Sequence, residues 1–308
     1  MLKSASFGNS IMKKISVDNF VSELEVNLPP YEKFLKLGDF TSLWQDENGN
    51  FFRLNYERGP LLYALIAKFK PKNVLEFGTG GGYGTLCMAW AMSDYNIDGK
   101  IYTIDRYSQD LRFDRPINYT EEFSPTVEHL SLKELWSKVA STDWLKHIEP
   151  LTGYSGEIMS HTKLPKIQMS YIDGAHSFNA VQHDFYSLLE VSDNEFGVLF
   201  DDYMSRPLYG VKEFIDQKIA NNFDATLIDT DKEQNYEKLK IPTNQEYGMC
   251  WIHSSSLKKP ISVLYPKLSY LEIITKYRRY ESLIMKRREK LNSMIPILSK
   301  IKFRWWKH

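Results

Sequence analysis

The chain has little cysteine. Its two thiols, Cys87 and Cys250, lie far apart in apolar runs. This excludes a CxxC pair and leads us to expect reduced core cysteines in a cytoplasmic protein. Long apolar runs are also missing. None approaches the ~18 residues of a membrane-crossing helix. Residues near Met1 mix Lys3, Lys13 and Lys14 with polar side chains and show no apolar h-region, so no signal peptide is expected. Net charge is absent too, with 39 basic against 39 acidic residues, but the charges are segregated. Residues 257–308 hold 14 Lys and Arg against 3 Asp and Glu, a net of +11, which leaves −11 on residues 1–256. An acidic body argues against general nucleic-acid binding. What is present is ordinary for a globular chain of 308 residues: 43% hydrophobic and 25% charged, with aromatics somewhat high at 14%. That length suits one large α/β domain with appendages or two small domains.

Residues 1–54 are weakly patterned, broken by Pro29-Pro30 and by a turn at 46–50. We expect an N-terminal extension of one or two short helices, placed to cover a site. Residues 58–69 read as a helix with Pro60 in its first turn. Residues 73–77 read as a strand apolar enough to be buried on both faces. Further strands are expected at 101–105, 147–153, 167–173, 197–202, 225–228 and 248–253. Helices are expected at 131–140, around Trp144, at 178–189 and at 209–220. Seven strands with alternating helices make a doubly wound, mostly parallel, Rossmann-like sheet at 55–256, closed by an antiparallel pair, with ligands at the carboxyl ends of the strands.

The richest stretch is Glu76-Phe77-Gly78-Thr79-Gly80-Gly81-Gly82-Tyr83-Gly84, between a strand and an apolar helix. A dinucleotide loop needs G-x-G-x-x-G, but the sixth position is Tyr83 counting from Gly78 and Thr85 counting from Gly80. What fits is acid-x-Gly-x-Gly-x-Gly, at Glu76, Gly78, Gly80 and Gly82. This resembles the first motif of class I S-adenosylmethionine (SAM)-dependent methyltransferases. The resemblance implies SAM as cofactor, held around Glu76, Gly78, Thr79, Gly80 and Gly82. Asp105, 27 residues after Gly78, ends the second strand, where an acid can accept both ribose hydroxyls. Gly153-Tyr154-Ser155 follows the third strand; in the family this region borders the adenine. Tyr154 and Ser155 are therefore candidates, although a plain turn with a serine cap reads nearly as well.

A second cluster lies at later strand ends: Asp173-Gly174-Ala175-His176, then Asp201-Asp202-Tyr203. Three carboxylates brought together repel unless protonated or bridged by a cation, and oxygen ligands at a strand-end cleft suit Mg²⁺ or another divalent cation. Adjacent residues in a strand point oppositely, so for both Asp201 and Asp202 to reach one ion the strand must end at Phe200 and turn. The pattern is similar to metal-dependent O-methyltransferases acting on macrolide-sugar hydroxyls and related small molecules. The resemblance covers roughly 55–256. It implies metal ligands Asp173, Asp201 and Asp202, with Asp173 also beside the cofactor, a base at His176, and a small-molecule or glycan acceptor. His183 reads as structural, and His129, His147, His161 and His253 have no ligand spacing. Acceptor walls are expected from 1–54 and 106–146, with Trp44, Phe51, Phe52 and Tyr56 as stacking candidates.

Residues 257–308 carry Tyr270, Ile273, Tyr277, Tyr280, Ile284, Arg287, Leu291, Met294, Leu298, Ile301 and Trp305 at a 3,4 spacing, broken sterically by Pro296. This is a basic amphipathic helix or helix pair. It is read as an oligomer contact making a homo-oligomer, as a peripheral membrane contact with Trp305-Trp306 at the interface, or as a solvated end. Two other functions stay open beside O-methyl transfer. One is a metal-dependent hydroxylase on the same scaffold; the other is a non-catalytic SAM-binding module whose tail does the work.

Overall fold

A computed structural model of the chain describes residues 12–230 and 247–294. Twelve strands are seen among them: β1 (Lys13–Ser16), β2 (Leu43–Gln45), β3 (Phe51–Arg53), β4 (Asn73–Phe77), β5 (Lys100–Asp105), β6 (Arg112–Ile117), β7 (Thr126–Ser131), β8 (Ile148–Thr152), β9 (Ile167–Ile172), β10 (Ser192–Met204), β11 (Thr226–Asp229) and β12 (Tyr247–His253). Eight of these form one sheet in the order β1-β11-β12-β10-β9-β4-β5-β8. β12 runs antiparallel to β10 and β11; the other pairs are parallel.

All seven expected strands are present, and the sheet gains an eighth. β1 is only four residues, Lys-Lys-Ile-Ser, too short and polar to show a strand pattern. The expected helices of the extension are α1 (Val17–Glu23) and α2 (Tyr31–Thr41), followed by the hairpin β2–β3. Phe20, Phe34 and Leu37 join one core face with α3 (Arg58–Phe69) and α4 (Tyr83–Asp94). α4 is buried from Tyr83 to Met92, as a helix apolar on all sides must be. The crossover after β5 carries an unforeseen hairpin, β6–β7, which includes Pro116 opposite Val127. It leads into α5 (Leu132–Val139), which opens with a reciprocal Ser131–Glu134 cap, and α6 (Thr142–Leu145). The opposite core face is covered by α7 (Ser155–His161), α8 (Phe178–Val191) and α9 (Val211–Phe214).

From β4 the chain adds β5 and β8 on one side, then returns to place β9 on the other. The carboxyl ends of β4 and β9 meet at this switch point, where a crevice must open. β10, expected over 197–202, does not end at Phe200, the condition for Asp201 and Asp202 to reach one ion: the strand continues to Met204. A bulge between Phe200 and Tyr203 supplies the change of direction, with Asp202 at φ +55°. A bulge puts two consecutive residues opposite one and so breaks the alternation of faces.

One helix spans Lys267–Met294. It docks on α8, with Tyr277 stacked on His183 at 4.6 Å and Arg278 3.6 Å from Glu190. The buried positions are Tyr270, Ile274 and Glu281, whereas Tyr280 is 60% exposed. The expected stripe through Ile273 and Tyr280 is thus rotated, because the Tyr277 and Arg278 contacts set the helix's roll. Pro296, Leu298, Ile301, Trp305 and Trp306 lie outside the described residues, as do the side chains of Leu291 and Met294. Ile274→Ala should lower unfolding free energy by about 2–5 kcal/mol in chemical denaturation. Tyr280→Ala should stay within about 0.5 kcal/mol of wild type. Equal effects would contradict this register.

Candidate active site

The glycine loop leaves β4 at Gly78, whose φ is +95°; a Cβ there would lie 2.1 Å from the carbonyl oxygen of Asp173. Gly78 is therefore needed for the contact between two strand ends. Gly82 packs on Trp136, and Trp136 Nε1 donates to the Gly81 carbonyl at 3.1 Å. Gly80, at φ +56°, differs in having nothing within 4 Å of its Cβ direction. It alone of these glycines faces open space where a ligand can approach. Asp105 stands beside it: one carboxylate oxygen accepts from the Gly80 amide at 3.0 Å and the other from Tyr107 at 2.9 Å. Each oxygen keeps a second lone pair for a hydroxyl.

Glu76 lies beneath the loop and is buried. Its Oε2 accepts from the hydroxyls of Thr85 and Thr103, each at 2.5 Å, and Thr103 meets Thr79 at 2.6 Å. Thr79 is itself buried. Burial pushes the Glu76 carboxyl up to about 7, against the two threonine hydrogen bonds that favour its charge. In this geometry Glu76 and Thr79 brace the loop from inside, while Gly80 and Asp105 present it outward.

Across the switch point, ligand atoms of Asp173, His176 and Asp202 all lie within 4.8 Å of one another. His176 Nδ1 is 3.2 Å from Asp202 Oδ2, and its ring stacks on Tyr209 at 4.6 Å. Asp201 is placed differently. It is buried, takes the Tyr171 hydroxyl at 2.5 Å, accepts from the Asp202 amide at 2.8 Å, and lies 3.1 Å from Arg58 Nη1. Arg58 also donates to Asp173 Oδ2 at 2.9 Å. Burial opposes the charge on Arg58, but Asp201, Tyr171 and Asp173 outweigh it and raise its pKa. Burial, then Asp201, raises Asp173; burial likewise raises Asp202, against the pull of His176. Sequence reading missed Arg58. Its signal was a lone arginine opening a helix that is otherwise apolar through Ala67.

An open groove of about 570 Å³ adjoins this cluster, lined by Met204, Arg206, Tyr209, Lys212 and Asp216 among others. It lies between β10 and α9, not in the stretches expected to wall the acceptor. Tyr56 is a core residue: its hydroxyl donates to Asp39 at 3.2 Å and its ring packs on Tyr83. Trp44 and Phe52 pack on each other in the hairpin β2–β3. Tyr154 and Ser155 stand at the start of α7, next to Gly153, whose amide donates to the Asp105 carbonyl at 2.9 Å. No serine cap forms there. Instead Glu281 of the C-terminal helix reaches the amides of Gly156 and Glu157, and burial pushes its carboxyl up to about 7. The tail helix thus buttresses the Tyr154 corner. His183 is structural: buried, between Asp184 and Ser187.

Residues 75–203 match a family model described as a methyltransferase domain. No curated protein matches the chain. Among solved structures, the O-methyltransferase TomG from Streptomyces achromogenes, in complex with SAM, is 19% identical over 76% of this chain and 94% of its own, with a TM-score of 0.46. An O-methyltransferase from Bacillus cereus in complex with SAH is 16% identical over 77% of this chain and 96% of its own, at 0.45. The stretch that matches a methyltransferase domain spans the glycine loop, the switch point and the acidic cluster up to Tyr203. No helix among the described residues is long and apolar enough to cross a membrane.

Two outcomes follow from the loop. Gly78→Ala should lose folded protein, whereas Gly80→Ala should fold and bind S-adenosylhomocysteine (SAH) more weakly by calorimetry. The reverse order would contradict the assignment of open space to Gly80. For Glu76, a folded pKa near 7 against the ordinary 4.5 means its contribution is fully present below 4.5 and is lost as pH rises through 7. The stability difference between wild type and Glu76→Gln should shift in favour of the glutamine between pH 5 and 8.5 (an illustrative range spanning that pKa). A difference flat with pH would show that Glu76 does not titrate there.

Proposed function

We propose that the chain transfers a methyl group to a hydroxyl oxygen of a small molecule or glycan, assisted by a divalent cation. The observation that carries this reading is the Asp173–His176–Asp202 cluster at the switch point, across the crevice from Gly80 and Asp105. The donor set suits such a cation: two carboxylates with an imidazole in reach, beside an open groove. Asp173 and Asp202 would hold it, while Asp201 is already committed to Arg58 and Tyr171. When bound, the cation lowers the pKa of an acceptor hydroxyl, and the donor supplies an electrophilic sulfonium methyl.

The protein's own residues have defined tasks in this proposal. His176 takes the hydroxyl proton at Nε2. Its Nδ1 lies 3.2 Å from Asp202 Oδ2 and its ring stacks flat on Tyr209, which together orient the imidazole. As the new C–O bond forms and the C–S bond breaks, the proton remains on His176. Arg58 holds Asp173 and Asp201 in place through one guanidinium nitrogen. Asp105 fixes the loop amide at Gly80 and offers its remaining lone pairs to the donor's ribose. The groove lined by Arg206 and Tyr209 receives the acceptor.

An assay with labelled SAM against sugars, catechols and glycolipids tests this reading. Transfer should fall on EDTA treatment and return with added Mg²⁺ or Mn²⁺. His176→Ala should lower kcat about 10²–10⁴-fold while SAH affinity holds. Full activity in EDTA would remove the cation from the account, and transfer only to amines would remove the hydroxyl acceptor.

A further inference from the structure

We infer that the outer face and C-terminal half of the Lys267–Met294 helix dock on an anionic lipid bilayer, turning the mouth of the methyl-transfer site toward it. The lipid contact itself does not depend on which acceptor is methylated.

The direction of the helix comes first. α8 starts at Phe178, two residues after His176, so its N-terminus lies at the active-site rim. The C-terminal helix runs antiparallel to α8: Tyr270 packs on Tyr186 at 5.8 Å, and further along Tyr277 stacks on His183. Still further, Glu281 reaches the first amides of α7, directly after Tyr154. The helix therefore climbs to the rim that carries Asp105 and His176. Its residues 282–294 continue for roughly 20 Å, at the rise of an α-helix.

The chemistry of the two faces comes next. The inner face is spent on the domain: Tyr270, Ile274 and Glu281 are buried and Arg278 pairs with Glu190. That packing fixes which residues point outward. Lys276, Arg279, Lys286 and Arg287 are exposed, and between them stand Tyr280 at 60% and Leu283 at 58% exposure. Arg288 and Lys290 follow in sequence. Basic residues interleaved with exposed apolar ones match a headgroup layer over an acyl boundary, where charge attracts and apolar side chains insert. A phosphate backbone would need only the charges. Orientation follows from segregation: residues 1–256 carry −11, so an anionic surface repels the body and attracts this helix.

Sedimentation of the full chain with vesicles tests the inference. Binding is expected to phosphatidylglycerol–phosphatidylcholine vesicles at low salt, weakening as salt rises, with little binding to phosphatidylcholine alone. The variant K276E/R279E/K286E/R287E should lose affinity by about fivefold or more per residue replaced. Leu283→Glu should also weaken binding. Both variants should keep the wild-type Tm, SAH affinity and methyl transfer to a soluble acceptor, which separates this result from misfolding and from failure of the proposed reaction. Equal binding to neutral vesicles, no binding to anionic ones, unchanged binding by the fourfold variant, or preference for single-stranded RNA over vesicles would each overturn the proposal.

Discussion

The amide of Asp173 donates to the carbonyl of Phe77 at 2.9 Å, and the site depends on this contact. It joins the carboxyl ends of β4 and β9 one residue before the glycine loop on one side and at the acid cluster on the other. The approach is close enough that Gly78 has no room for a Cβ against Asp173. On either side of it stand Gly80 with Asp105 and His176 with Asp202, which the proposed reaction assigns to donor and acceptor. The proposed methyl transfer must hold two reactants at attack distance, where proximity is worth many orders of magnitude. In that proposal the spacing of the two clusters rests on this main-chain hydrogen bond between neighbouring strands.

Electrostatics accounts for the second layer of the design. Asp173, Asp201 and Asp202 crowd one crevice, and burial raises the pKa of Asp173 and Asp202. Arg58 answers two of the three, and breaking such a buried pair costs about 3–5 kcal/mol. Labour divides between adjacent residues: Asp202 faces His176, while Asp201 turns inward to Tyr171 and Arg58. A regular strand would also have separated the two side chains, but without the change of direction that the bulge gives β10 beside the groove.

Much of this could be read from sequence where the signal is local. The seven strands, the Glu76-led loop, Asp105 at the end of β5 and the Asp173-Gly-Ala-His176 run all lie in short contiguous patterns. What escaped is set by contacts distant in the chain. Arg58 lies 115 residues from the Asp173 it pairs with. β1 is defined by its pairing with β11, not by its four residues. The roll of the C-terminal helix is set by Tyr277 on His183 and Arg278 beside Glu190, so Ile274 and not Ile273 is buried. Glu76 and Thr79 carry the right motif, yet face inward as braces, a distinction no spacing encodes.

The central claim is that the loop at Gly80 and the cluster at Asp202 serve one reaction from opposite sides of one crevice. The most direct measurement is NMR of SAM labelled with ¹³C in its transferable methyl, bound to the enzyme and titrated with Mn²⁺. The account predicts strong paramagnetic broadening of the bound methyl signal, abolished in Asp202→Ala. A methyl resonance that remains sharp while Mn²⁺ and SAM are both shown to be bound would contradict it.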